Sequence, residues 1–532
     1  MIKKIFYHLK TINTYRQFKN FIKFQLEENK LEDNKNNKKN IILFEIINMC
    51  STHIAYFNII QPLINIYQSS PYGISTTLYS KKKIIFYKFL DFLNLFHFGV
   101  YNALQIKNKL FLTKKKNEKR KISFPKKKKD FINFRYKNVV VGDLIYDSYL
   151  RYNFKSTLNL EDKNFKKFFL DSLDYFDAVI KVFKKYNIKA VFLSHTVYLP
   201  AFIGRLALNY NVDFYCVGIT HYIKLSKNNY HIHHHKNYKQ TYNEIPTIKQ
   251  KEFLKKTKKE ISNLLDGKKN FNMVGLSKSP FQKKNNINLI KKSKKIKILI
   301  ATQCLIDSPH AFGNWFFSDF VEWLEYLGNI SKKTKYEWYI KPHPNNLRRN
   351  KDFLKRYLRK YPKIKMIPPE TSHYSLKNKI DFVLTNWGNI GMDLALLDIK
   401  VLNTHPNGRF SAFNFNINSN TFKEYNYKIL NLEKFKKFKI NKDEIYKSYF
   451  MHNFYYGPNW LIKNLVKEMI KLGWYKKDGI DIYNYFIKKF DSKNFKKDQI
   501  EMINNLTKIK QNKNYSKFSP IKNIEHINGK AT

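Results

Sequence analysis

The sequence predicts an α/β protein containing two doubly wound parallel sheets, and three observations carry that reading. Short β-rich apolar runs alternate with segments of helical periodicity, which is the pattern of strand–helix–strand units. Several of those runs end abruptly in polar residues, as strands of open sheets do where they present a ligand edge. The length of 532 residues and a hydrophobic content of 43% support a large core divided between two domains.

Residues 1–39 open the chain as an amphipathic helix, with Ile2, Ile5, Phe6, Leu9 and Ile12 at helical spacing and Lys or Arg between them. Such a helix either lies on a membrane or docks on the protein itself, and its charges recur too often for a signal peptide. Residues 40–267 form the first domain, with buried strands at Val139–Val141, Ala190–Leu193 and Phe214–Val217 and a helix over Leu170–Tyr186. The apolar window Ile84–Leu104 contains Lys88, Asp91, Asn94 and His97, so it reads as a buried helix and not a membrane span. The lysine-rich stretch Lys114–Lys129 reads as a solvated loop. Residues 268–295 are polar and irregular and serve as a linker.

The second domain, residues 296–425, opens with strand Ile296–Ala301 and continues with helix Trp315–Leu327 and strand Tyr336–Ile340. Helix Leu347–Tyr361, strand Ile364–Ile367 and a short helix near Tyr374 follow. Strand Phe382–Thr385, helix Asn389–Leu397 and strand Val401–Asn403 complete a five-stranded doubly wound sheet. Residues 426–505 are helical, and 506–532 form a Lys/Asn-rich tail expected to be loose.

The formal net charge is +58, from 99 Lys+Arg against 41 Asp+Glu. The excess is mostly Lys, accompanied by abundant Asn and Ile, and the aromatic motifs of RNA-binding modules are absent, so nucleic acid is not expected as a partner. A basic surface instead suits an anionic membrane or an acidic glycan. Cys50, Cys216 and Cys304 are far apart, which argues against a disulfide scaffold or zinc site and favours a reducing cytosol.

The chemistry-bearing residues cluster at strand ends. In YIKPHP, Lys341 can neutralise phosphate charge, and His343, held between Pro342 and Pro344, can donate to a leaving phosphate. In LTNWGNIGMDLALLDIKV, Thr385 and Asn386 end a strand, and Gly388 and Asn389 open a helix whose N-terminus is an anion site. Asp393 lies one turn on, where a carboxylate can accept from two adjacent hydroxyls or complement the helix dipole. The loop TQCLIDSPHAFG offers Asp307, Ser308 and His310, and His405, Pro406, Gly408 and Arg409 follow the last strand as a further sugar or phosphate contact or a plain turn. In the first domain Asp143, with Asp147 one turn on, and His195, after Ser194, are the candidate general bases; Asp143 equally suits a helix N-cap. His231, His233, His234 and His235 lack ordered ligand spacing and read as a polar loop, and no metal or cofactor is expected.

YIKPHP followed by LTNWGNIGMDLALLDIKV resembles the C-terminal nucleotide-sugar domain of GT-B glycosyltransferases, especially bacterial capsule and surface-polysaccharide enzymes. The His-Pro motif is similar to that of the capsular Kdo-transferase and bacterial sialyltransferase groups. Gly388 to Val401 is also similar to a stretch of UDP-N-acetylglucosamine 2-epimerases. The resemblance implies two Rossmann-like domains facing a cleft, with Gly388 and Asn389 on phosphate and Asp393 on ribose. It further implies metal-independent transfer of a sugar from a nucleotide-sugar donor to a capsule- or lipopolysaccharide-type glycan or glycolipid. The expected location is the cytoplasm, with peripheral contact at the inner face of the membrane. Met392 stands where the epimerase-like group carries the first of two acidic residues, which weakens epimerisation, and the acidic-acidic-glycine base motif of the sialyltransferase-like group is missing. A CDP-polyol phosphotransferase and a basic nucleic-acid-binding protein complete the alternatives.

Overall fold

The structure is a computed structural model describing residues 2–29, 37–113, 122–233, 235–270, 273, 278–282, 290–343, 347–456, 480–512 and 516–517. The first sheet has seven strands, in the order β14-β8-β7-β6-β1-β2-β3. Their ranges are β1 Asn37–Ile46, β2 Ser69–Tyr79, β3 Asn108–Thr113, β6 Asn187–Leu193, β7 Asp213–Gly218, β8 His221–Leu225 and β14 Ser516–Lys517. β1 pairs in parallel with β2 on one side and β6 on the other, so the winding reverses between β1 and β6. β8 and β14 add antiparallel strands beyond β7.

The second sheet is wholly parallel, in the order β11-β10-β9-β12-β13, with β9 Lys297–Ala301, β10 Glu337–Lys341, β11 Ile364–Met366, β12 Phe382–Thr385 and β13 Lys400–Asn403. Its reversal lies between β9 and β12. Both faces are covered, which is why β9 reads KILIA and β12 FVLT, with every residue buried. The period of two divides the side chains: Leu299, Tyr339, Val383 and Val401 enter one core with Phe410 and Ile445. Ile298, Ile300, Trp338, Ile340 and Leu384 enter the other with Trp323 and Tyr357.

Several sequence expectations change. β1, β2 and β3 lay unrecognised among lysines and polar residues, although β1 is the centre of the first sheet. Val139–Val140 is a two-residue strand, β5, paired antiparallel with β4 (Arg135–Tyr136) outside both large sheets. The window Ile84–Leu104 is two helices, Lys81–Phe92 and Phe96–Ala103; the first has no buried residue, while the second buries Phe98, Val100 and Tyr101. The Trp315–Leu327 helix instead runs Phe320–Lys333, because the Asp319 carboxylate caps the Glu322 N–H at 2.8 Å. Asn389–Leu397 is a single α turn, Ile390–Asp393, followed by a 3-10 turn, Ala395–Leu397.

The chain's ends converge on the first sheet. The opening helix, Ile2–Glu28, buries Tyr15, Phe18, Ile22 and Leu26, and Phe18 stacks on Tyr483 with ring centroids 3.9 Å apart. Its described part is therefore docked on the protein; the side chains of Ile2, Ile5, Phe6 and Leu9 lie outside the described residues. The segment expected to be loose contributes the last six residues of helix Phe495–Gln511 and strand β14, with Leu506 and Ile509 in the same core. The first half of Lys114–Lys129, parts of 268–295 and 426–505, and residues 518–532 fall outside the described residues.

Helix Gly142–Asn153, which positions much of the site, starts against the segment that ends the short helix Lys128–Ile132 so tightly that a Cβ on Gly142 would lie 1.6 Å from the Phe131 carbonyl oxygen. Backbone cannot yield as a flexible side chain does. Gly142→Ala is expected to cost about 3 kcal/mol or more in urea unfolding; a loss below about 1 kcal/mol would show that this segment relaxes freely.

Candidate functional site

The winding reversal of the second sheet brings the ends of β9 and β12 together, and there the sequence-predicted residues meet. A Cβ on Gly388 would come 2.8 Å from Gln303 Nε2 and 3.4 Å from Thr385 Oγ1. The Gln303 amide, from the loop after β9, packs into the space a side chain at 388 would enter, and as the end of a flexible side chain it can yield. Thr385 Oγ1 and both amide atoms of Asn386 are buried without a hydrogen-bond partner among the described residues. Unsatisfied buried groups of this kind cost about 1–3 kcal/mol each, so three on adjacent residues at a strand end mark a place that something polar fills.

Two strands away across β9, at the end of β10, Lys341 is buried; desolvation lowers its pKa to about 8, partly offset by the charge of Glu370. It still carries most of its charge at neutral pH. His343 donates its backbone N–H to Thr302 Oγ1 at 3.0 Å. Burial, and then the charge of Lys341, lower its imidazole pKa to about 4. It is therefore neutral at pH 7, a hydrogen-bonding group and not the ready proton donor that its place beside a leaving phosphate suggested.

Asp393 is also buried, and desolvation raises its pKa to about 8 against the opposing pull of Arg409. Its Oδ2 lies 4.0 Å from His373 Nδ1. Arg409 donates to Asn389 Oδ1 at 2.8 Å, tying the turn after β13 to the turn after β12. Because the helix here has a single turn, its dipole is far weaker than the sequence implied, and the cations Lys341 and Arg409 supply positive charge in its place. His405 is committed to the fold: its Nδ1 accepts from Asn407 N–H at 2.9 Å and its Nε2 faces the Gly313 carbonyl at 3.3 Å.

The loop following β9 reaches helix Gly142–Asn153. His310 Nδ1 lies 2.6 Å from Asp147 Oδ1, and its backbone N–H donates to Asp147 Oδ2 at 3.3 Å. Burial lowers the His310 pKa, but the Asp147 charge outweighs this and holds it above the ordinary value. Burial raises Asp147 to about 6 despite the histidine. The other imidazole nitrogen, His310 Nε2, is buried and without a partner. Nearby, Tyr198 OH donates to Asp307 Oδ1 at 2.5 Å, and Ser308 N–H donates to the same oxygen at 3.0 Å. Two separate sequence candidates, Asp147 and His310, thus become one dyad.

At the reversal of the first sheet, Glu45, at the end of β1, accepts from the Ser194 N–H at 2.7 Å and the Ser194 hydroxyl at 2.6 Å. His195 is exposed, with its Nδ1 2.7 Å from Ser194 Oγ. Asp143, by contrast, is locked to Arg205 by two 2.6 Å contacts. Burial alone would raise its pKa, but the guanidinium overrides that and leaves it below the ordinary carboxylate value. With both oxygens engaged, Asp143 is a poor proton acceptor, and it lies inside the helix and not at the N-cap, which is Val141. His233 stacks on Phe312 at 4.4 Å, and His235 packs edge-on to Tyr238; His234 lies outside the described residues. Among the described residues no group of three His, Cys, Asp or Glu could hold a metal ion, and no helix is long and apolar enough to cross a membrane.

Sequence reasoning missed Glu45, because β1 was unrecognised, and passed over Gln303, Arg205 and His373, which have no motif of their own. Gln303 could have been found: it is the second residue after a strand whose reversal partner ends in a glycine turn.

No family model and no curated protein matches the chain. Among solved structures it is similar to the Thermosulfurimonas dismutans KpsC, a beta Kdo 2,4 transferase, at 11% identity over 49% of this chain and 79% of that one, with a TM-score of 0.30. It is similar to the UDP-GlcNAc 2-epimerase of Methanocaldococcus jannaschii at 14% identity over 76% and 94% of the two chains, with a TM-score of 0.23. It is also similar to the UDP-GlcNAc 2-epimerase of Neisseria meningitidis, in a structure bound to UDP-GlcNAc, at 10% identity over 82% and 100%, with a TM-score of 0.21. Likeness at this level assigns neither family nor activity, so the functional reading rests on the site.

Proposed function

We propose that the chain is a nucleotide-sugar-dependent glycosyltransferase of GT-B type, transferring a sugar to a cell-surface glycan or glycolipid. The observation that carries the reading is the set of unpartnered polar atoms on Thr385 and Asn386 at the reversal point of a parallel sheet, with the buried cation Lys341 ending β10 at the same sheet edge. In this reading the donor phosphates lie on Lys341 and the turn at Gly388 and Asn389, and the ribose lies near Asp393. Lys341 stabilises the charge that develops on the departing phosphate. His310 takes the proton from the acceptor hydroxyl through Nε2, while Asp147 holds its ring and stabilises the imidazolium. Because His310 is buried, acceptor entry requires the 302–319 loop to move. Peripheral membrane attachment and a cytoplasmic location belong to the same proposal.

The test is a thermal-shift screen against UDP, CMP, CDP, GDP and their sugar conjugates. A ligand present at about 100 times its Kd stabilises the native state by about 2.7 kcal/mol. One nucleotide series is expected to raise Tm selectively, and Asp393→Asn is expected to remove that shift without lowering the Tm of the free protein. The asymmetry follows from the pKa. The buried carboxyl is mainly neutral at pH 7, so folding stability is full below the ordinary carboxylate value and declines as pH rises toward about 8. A neutral amide of the same shape escapes that loss. No shift with any nucleotide would defeat the proposal. Isomerised donor without free nucleotide would replace transfer by epimerisation, and CMP release with a phosphodiester product would indicate the polyol-phosphate alternative.

A further inference from the structure

Among the described residues, helix Lys81–Phe92 turns large apolar side chains outward along a whole helix face. Ile85, Phe86, Phe89 and Phe92 are 69%, 56%, 55% and 81% exposed, and Leu93 follows at 42%. At about 100° per residue these five fall within an arc of roughly 120°. The half-buried residues Ile84, Tyr87, Leu90 and Asp91 occupy the opposite side, so the helix already uses its other face to sit on the protein. Scattered exposed hydrophobics are ordinary; five on one stripe, three of them phenylalanine, call for a partner.

The charges around the stripe identify the partner's chemistry. Lys81, Lys82, Lys83 and Lys88 are all exposed. Asp91, the sole acid of the helix, is engaged by Lys109 at 2.8 Å. The helix thus presents an apolar stripe with lysines at its start and flank that form no ion pair among the described residues, on a chain of formal net charge +58. An apolar protein groove would accept the stripe but gain nothing from the lysines, and a second copy of so basic a chain would repel them. We infer that this face docks on an anionic lipid bilayer, with Phe86, Phe89 and Phe92 entering the headgroup–acyl boundary and the lysines meeting lipid phosphate. The inference stands on the exposed face itself and does not depend on the transferase reading. Of the two readings the sequence left open for the opening helix, membrane contact or docking on the protein, its described part adopts the second.

The test is flotation of the purified full-length chain with vesicles of phosphatidylcholine alone or phosphatidylcholine mixed with phosphatidylglycerol, compared with the triple variant Phe86→Ser/Phe89→Ser/Phe92→Ser. All three positions are exposed, so the variant is expected to keep the wild-type Tm, which is measured alongside. Binding to the mixed vesicles, near absence from neutral ones, a decline with salt, and a loss of at least about tenfold in the triple variant are expected. Charge reversal at Lys81, Lys82 and Lys88 to Glu, leaving the phenylalanines in place, is expected to lower binding to the mixed vesicles by about tenfold or more. Undiminished binding of the triple variant would overturn the inference by placing attachment elsewhere on the chain. So would equal binding to neutral vesicles, or a concentration-dependent dimer that dissolves in the triple variant without any vesicle binding.

Discussion

Replacing Lys341 with methionine is expected to raise the melting temperature of the free protein and abolish its response to nucleotides. The side chain ends β10 in a buried position, and desolvation brings its pKa from 10.5 to about 8. A lysine whose folded pKa lies below its unfolded value destabilises the fold fully at pH below about 8. The penalty fades as pH rises toward 10.5, where the unfolded chain also gives up the proton. At about 1.4 kcal/mol for each tenfold change in proton affinity, the penalty amounts to about 3 kcal/mol at pH 7, which methionine would recover while preserving the stem's packing. Nucleotide binding follows the opposite course. It needs the charge, so the nucleotide-induced rise in Tm should weaken as pH passes through about 8 and be absent from the variant at every pH. A variant that keeps the wild-type shift with the same pH dependence would remove Lys341 from the donor site.

The second large effect concerns the dyad. His310→Asn is expected to lower turnover by about 10²- to 10⁴-fold, the usual contribution of a general base, while nucleotide-induced stabilisation persists because the donor lies at the other strand ends. Asp147→Asn separates a positioning role from bulk structural damage. The amide can still accept from His310 Nδ1, so the ring stays in place, but the negative charge that holds the imidazole pKa above its ordinary value is gone. The acid limb of the rate profile should therefore move to lower pH as the maximum rate falls. Breaking a buried pair costs about 3–5 kcal/mol, so both variants are compared at a temperature where circular dichroism shows them folded. Near-normal turnover of folded His310→Asn would move the base elsewhere, with exposed His195 beside Ser194 the next group to test.

What was legible in the sequence is what local pattern can encode. The second sheet was readable because its strands are buried on both faces, so KILIA, EWYIK, FVLT and KVLN stand out as apolar runs between amphipathic helices. The strand-end places of Thr385, Asn386 and Gly388 were readable because a strand end followed by a glycine turn is itself a local signal, and that of Lys341 because Pro342 follows it directly. The first sheet's central strand was not. β1 begins with NKKN, and only its second half carries the apolar run, so its identity rests on pairing with β2 and β6. Glu45 disappeared with it.

Partnership was decided by the tertiary structure alone. Asp143 and Asp147 lie one helical turn apart and look equivalent in sequence, yet one faces Arg205, 62 residues on, and the other faces His310, 163 residues on. The first is thereby committed to the fold, and the second orients an imidazole with a free nitrogen. The apolar window Ile84–Leu104 shows the same limit: hydrophobicity marked it for burial, but whether Phe89 and Phe92 meet core or solvent depends on which face the neighbouring elements cover. Sequence pattern specifies which residues belong to which element because its interactions act over a few positions. Which charge meets which, and which face stays open, depends on contacts between residues far apart in the chain, and only the folded arrangement sets those.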